Sequence, residues 1–92
     1  MQVTINGQAS FSLSNQQIID KFINGEEPNG IINGVNAIFT SRKLFIPETV
    51  EVYINGLRQM ITKDYITTGY NTIILFNSLE LIDQISINYT KI

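Results

Sequence analysis

Apolar and polar residues alternate with period two in the second half of the chain, the pattern of strands with one face buried. In Gln84 to Tyr89, Ile85, Ile87 and Tyr89 alternate with Gln84, Ser86 and Asn88. Val50, Val52 and Ile54 likewise alternate with Glu51 and Tyr53, and Asn55-Gly56 then leads into Leu57 to Ile61, which predicts a two-residue hairpin. Tyr65, Ile73 and Leu75 supply further inward positions. Ile74 and Phe76 make Thr72 to Phe76 apolar on its other face too, so a second sheet or a neighbouring subunit is expected to cover it.

The first quarter reads differently. Val3 to Ile5 and Ala9 to Leu13 flank Asn6-Gly7 and predict a small hairpin. Ser14 then suits a helix N-cap with Gln17 in the capping-box position, and Ile18, Ile19, Phe22 and Ile23 follow on one helical face. Asn24-Gly25 would end that helix as a left-handed cap. A helix of about ten residues is marginal alone. Its apolar stripe therefore docks either on the chain's own sheet or on a neighbouring subunit.

Glu26-Glu27-Pro28-Asn29-Gly30 is a polar, turn-forming stretch that divides the chain into an N-terminal hairpin and helix, residues 1–27, and a β region, residues 28–92. Five of the six glycines follow asparagine, a dipeptide suited to positive φ angles, so the chain is punctuated as turns between strands. The expected fold is mainly β: a small antiparallel β-sandwich with one short N-terminal helix.

Composition narrows the function classes. With 92 residues, one modest core is expected. Only 15% of residues are charged, against about 25% in an average domain. Such a surface is either neutral and solvated or partly covered by other subunits. The net charge of −2 comes without a basic cluster, so no nucleic-acid partner is expected. No basic leader and no apolar run of about 18 residues occurs, so neither a signal peptide nor a membrane partner is expected.

Histidine and cysteine are both absent, which removes the commonest general base, thiol nucleophiles and thiolate metal sites. The acids are scattered in or beside polar turns, Glu26, Glu27, Asp64 and Asp83 among them, and a solvated role is expected for each. No calcium-loop spacing or glycine-rich phosphate loop occurs. Ser41 beside Arg42-Lys43 is explained by a turn. Asn88-Tyr89-Thr90 matches a glycosylation acceptor, a three-residue pattern common by chance. No catalytic residue, metal site, cofactor or small-molecule substrate is expected. Tyr53, out of phase with its neighbours, and Tyr70, in the turn Thr68 to Asn71, are the aromatics expected to face outward.

Five ordered blocks, Asn33 to Thr40, Ile46 to Gln59, Asp64 to Gly69, Asn71 to Phe76 and Asp83 to Tyr89, carry a recognisable pattern. It consists of the Asn33-Gly34-x-Asn36 opening, a Val-x-Val-Tyr-x-Asn-Gly hairpin ending at Asn55-Gly56, and the Asp64-Tyr65 pair. An apolar strand and a closing Asp-x-Ile-x-x-x-Tyr strand complete it. The pattern resembles a β-sandwich module that recurs in virion structural proteins of tailed bacteriophages, and the resemblance spans residues 28–92. It departs at Thr62-Lys63 and Leu81-Ile82, where a glycine usually stands, so those turns are expected to be reshaped.

The resemblance implies a non-enzymatic component of a head, neck, tail or fibre, made in the host cytoplasm and located in the virion. Its implied partners are copies of itself, as a homo-oligomer, and other virion proteins. On this reading Asn33, Gly34, Asn55, Gly56, Asp64 and Gly69 are structural turn residues. Ile18, Ile19, Phe22, Ile23, Tyr53 and Tyr70 are the interface candidates. The rival expectation is a glycan-binding or host-surface adhesin module using Tyr53 or Tyr70.

Overall fold

A computed structural model of the chain describes residues 21–92. Seven strands follow in order: β1 Phe22–Glu26, β2 Ile38–Thr40, β3 Glu51–Ile54, β4 Leu57–Arg58, β5 Tyr65–Thr68, β6 Thr72–Leu75 and β7 Ile85–Thr90. They form two antiparallel sheets, a four-stranded one in the order β1-β7-β3-β4 and a three-stranded one in the order β2-β6-β5. The protein is thus mainly β, and the arrangement is compatible with a small β-sandwich.

Alternation sets which side of each strand is buried. In β7, Ile85, Ile87 and Tyr89 are buried while Ser86, Asn88 and Thr90 are half-buried on the other face. Register then stacks like on like: Val52 lies opposite Ile87, and Ile54 opposite Ile85. The second sheet contributes Phe39, Tyr65, Ile73 and Leu75 to the same core. Phe45 and Leu79 enter it from outside the strands. The Phe45 and Tyr89 rings meet edge to face with centroids 5.9 Å apart, a geometry that matches the positive ring edge to the negative face.

The N-terminal reading needs correction where the structure describes it. Phe22, Ile23, Asn24 and Gly25 are not the end of a helix. They belong to β1, which pairs with β7 at Phe22↔Thr90, Ile23↔Tyr89 and Glu26↔Ile87. The register shifts between Ile23 and Glu26. Gly25 has φ 69°, and its N–H donates to Asn88 Oδ1 at 2.8 Å. The left-handed glycine is present, but it makes a bulge where a helix cap was expected. The backbone bonds that Phe22 to Glu26 would have made within a helix are offered instead to the open edge of β7. The rest of the expected helix, with Ile18 and Ile19, and the hairpin around Asn6-Gly7 lie outside the described residues.

Because β1 is hydrogen-bonded to β7, the four-stranded sheet draws on residues from both sides of the 27/28 division. Gly30 follows, with φ 151°, and a Cβ there would stand 2.5 Å from Cδ2 of Phe39. The ring occupies the space of the missing side chain, so glycine at this position is a packing requirement.

Candidate functional site

The bulge in β1 organises the inner edge of the first sheet. Ile23 and Glu26 are three residues apart and in a regular strand would face opposite sides. The extra residue lets both face inward, opposite Tyr89 and Ile87. Glu26 is consequently half-buried, not a solvated turn acid. Its Oε1 accepts the Tyr89 hydroxyl at 2.6 Å, and its Oε2 accepts the Arg42 N–H at 2.9 Å. The Tyr89 hydroxyl in turn accepts the Lys43 N–H at 3.2 Å, and the buried Ser41 hydroxyl donates to the Lys43 carbonyl. Burial first, and the Glu26 hydrogen bond second, push the Tyr89 hydroxyl up to about 12. These groups join the first strand, the 41–43 turn and the last strand. Their work is to hold the sheet edge.

The outer face of the four-stranded sheet carries a polar network across its strands. Glu51 Oε1 accepts from Tyr53 Oη at 3.4 Å and from Asn88 Nδ2 at 3.3 Å, and Glu51 Oε2 lies 3.6 Å from Arg58 Nη2. Asn88 extends the network to Gly25 in β1. Beside it a hollow of about 380 Å³ is lined in part by Phe22, Asn24, Glu48, Glu51, Arg58 and Asn88. Phe22, paired with Thr90, is 54% exposed there. The arrangement offers donors, acceptors and one ring to a polar ligand.

The outer face of the three-stranded sheet is of another kind. Register aligns Ile38, Ile74 and Ile66 in one row across β2, β6 and β5, and Thr40, Thr72 and Thr68 in the next. Ile38 is 53% and Ile66 38% exposed, with Ile74 half-buried between them. All six are β-branched and uncharged. Phe76 continues the face beyond the isoleucine row and is also exposed. Asp64, whose carbonyl accepts the Phe76 N–H, turns its carboxylate back to the Met60 N–H at 2.8 Å.

Of the interface candidates, Phe22 therefore lies on the outer face of the first sheet, and Ile23 packs against the core. Tyr53 is half-buried on the first sheet's outer face, and Tyr70 is an exposed turn residue whose carbonyl accepts the Phe45 N–H. The structure does not bring Tyr53 and Tyr70 together on one sheet: the first sits in β3 and the second between β5 and β6.

The turn residues act locally. Asn55 and Gly56, with φ 53° and 81°, connect β3 to β4. Asn55 also donates to Asp83 Oδ1 at 2.8 Å and accepts the Gln84 N–H. That bond, with a second from the Glu80 N–H, holds the Asp83 carboxyl below its ordinary range. Asn33 Oδ1 accepts the Val35 and Asn36 N–H groups, and Gly34 is bonded to Ser78 and Leu79. Gly69 lies between β5 and β6 with φ 62°. Thr62 has φ 67°, so a β-branched residue occupies left-handed backbone there.

The isoleucine and threonine rows escaped the pattern reading because only register shows which residues of separate strands align. The signal present was Ile74 and Phe76 on the outward side of an apolar strand. Among the described residues no group of three or more acidic side chains is placed to hold a metal ion, and no described helix is long and apolar enough to cross a membrane. The chain matches no protein-family model, no curated protein and no solved structure.

Proposed function

We propose that this chain is a non-enzymatic structural protein of a tailed-phage virion, a small antiparallel β-sandwich that works by binding copies of itself and neighbouring virion proteins. The observation that carries the reading is the uncharged outer face formed by the Ile38, Ile74 and Ile66 row and the Thr40, Thr72 and Thr68 row. A solvated sheet face is ordinarily polar and often charged, whereas charged residues are depleted from the cores of protein interfaces. The low overall charge and the five-block resemblance over residues 28–92 support the same reading. Head, neck, tail and fibre all remain within it, with synthesis in the host cytoplasm before assembly.

Mass spectrometry of purified particles tests this directly. The chain is expected at a fixed copy number that survives repeated purification, and its absence from intact particles would overturn the proposal.

A second reading, a glycan-binding adhesin module, is favoured by the exposed Phe22 ring beside the Asn24, Glu51, Arg58 and Asn88 groups and by the exposed ring of Tyr70. Aromatic faces and planar polar side chains are what sugar rings stack on and bond to. It predicts a saturable glycan titration weakened by Phe22→Ala or Tyr70→Ala. Binding unchanged in both variants would eliminate it.

A further inference from the structure

We propose that the turn at residues 33–36 guards the β2 edge of the three-stranded sheet. The Asn36 side chain stands in for a neighbouring strand along β2 and keeps that edge from pairing with another copy of the chain.

Alternation decides which backbone groups of β2 need such a guard. The Leu75 N–H donates to the Ala37 carbonyl and the Ser41 N–H to the Asn71 carbonyl, so Ala37, Phe39 and Ser41 turn their backbone groups toward β6. Ile38 and Thr40 therefore turn theirs to the opposite edge, where no further strand of the sheet lies. Each of these outward groups is met. Asn36 Oδ1 accepts the Ile38 N–H at 3.3 Å, and Asn36 Nδ2 donates to the Ile38 carbonyl at 2.9 Å. The backbone of Asn29 does the same for Thr40, donating at 2.7 Å and accepting at 2.8 Å. One side-chain amide thus supplies the donor and the acceptor that a paired residue would bring.

The turn holds that amide in place. Asn33 Oδ1 accepts the Val35 and Asn36 N–H groups. The Gly34 N–H donates to the Leu79 carbonyl, and the Gly34 carbonyl accepts the Ser78 hydroxyl, so residues 78 and 79 anchor the turn from outside. Asn36 Nδ2 also reaches the Ile31 carbonyl at 3.0 Å, which ties the chain on either side of the turn together.

The strand has no other protection of its own. Ile38-Phe39-Thr40 carries neither charge nor proline, and Ile38 is exposed. Uncharged strands of β-branched and aromatic residues are those that pair edge to edge when left open. On the other sheet the β1 edge is irregular instead, because the bulge between Ile23 and Glu26 interrupts its register.

Proton exchange and association of the full chain test the guard. In the wild type the Asn36 side-chain amide protons should exchange about tenfold more slowly than those of an unstructured asparagine peptide, since that amide is hydrogen-bonded. In Asn36→Ala the Ile38 N–H should exchange roughly tenfold faster, the weight of one hydrogen bond. The Phe39 N–H, on the β6 side, should keep its wild-type rate, which separates local opening from general unfolding. Sedimentation should show Asn36→Ala associating at lower concentration than the wild type, with an intermolecular-strand band in the infrared spectrum. Asn36→Gln keeps the amide but misplaces it, and should show a milder form of the same change. Adding Ile38→Pro to Asn36→Ala removes the outward N–H at an edge position, where proline is tolerated, and should return association to the wild-type level.

Asn36 amide protons exchanging at the free rate would overturn the guard, and that measurement needs no variant to fold. Association of Asn36→Ala and Asn36→Gln no stronger than that of the wild type, or undiminished by Ile38→Pro, would overturn it as well. The virion reading is decided separately by particle mass spectrometry.

Discussion

The two sheets bury similar side chains inward and present opposite chemistry outward. On the four-stranded sheet, Tyr53 and Asn88 donate to the Glu51 carboxylate and Arg58 pairs with it. On the three-stranded sheet the equivalent positions are uncharged isoleucine and threonine rows, where Thr72 Oγ1 donates to Asn71 Oδ1 at 3.0 Å. The first face satisfies its own polar groups in water. The isoleucine row of the second has apolar surface that gains free energy on removal from water. A sheet's inner face thus reports the fold, and its outer face reports what the protein meets.

The largest effect that could break this comparison comes from adjacent residues of β6. Ile73→Asp places an unpaired charge at a fully buried position, and chemical denaturation should show a loss of roughly 4 kcal/mol or more, or no folded protein. Ile74→Asp, one residue along and on the outer face, should retain the fold and its melting transition. Similar losses in both would mean that the outer face is not a surface.

Next is the hydroxyl that fastens β7 to Glu26. Tyr89→Phe leaves the half-buried Glu26 carboxylate short of a partner and should cost about 1–3 kcal/mol at neutral pH. It should also alter the alkaline limb of the stability curve. Because folding raises the Tyr89 hydroxyl from 10.0 to about 12, its contribution is complete below pH 10 and is lost as pH rises through that window. Urea titrations between those pH values should show a decline in the wild type that Tyr89→Phe reduces.

On the polar outer face, Asn88→Ala removes the acceptor of the Gly25 N–H in the β1 bulge and should cost about 1 kcal/mol in urea melts. The smallest effect belongs to Arg58→Ala. Its pair with Glu51 spans 3.6 Å with side chains 65% and 37% exposed, so solvent screening should hold the loss under about 0.5 kcal/mol in the same melts. A larger loss would show that the polar network contributes more to stability than an exposed network should.

Much of the inner architecture was legible in residue order. Alternation in Gln84 to Tyr89 identifies the buried face of β7, because a pleated strand shows every second side chain to the core. Asn55-Gly56 marks the β3–β4 hairpin, because its two positive φ angles are a local preference of those residues. Phe45 and Leu79 were not identified as core, since neither sits in a strand whose periodicity would assign it a face. Glu26 was misread for a related reason: its partners Arg42 and Tyr89 lie far along the chain. Thr62 shows another limit, a β-branched residue in left-handed backbone, which its own preference does not predict.

By itself, then, the sequence determined strand periodicity, the left-handed glycines of Asn24-Gly25, Asn33-Gly34 and Asn55-Gly56, and the absence of histidine and cysteine chemistry. These depend on single residues and their immediate neighbours. Tertiary structure decided whether Asn24-Gly25 ends a helix or bulges a strand, because that depends on the hydrogen-bonding edge of β7 more than 60 residues away. It also decided that three isoleucines from separate strands share one row, since cross-strand register is set by the pairing of whole sheets and by no residue alone.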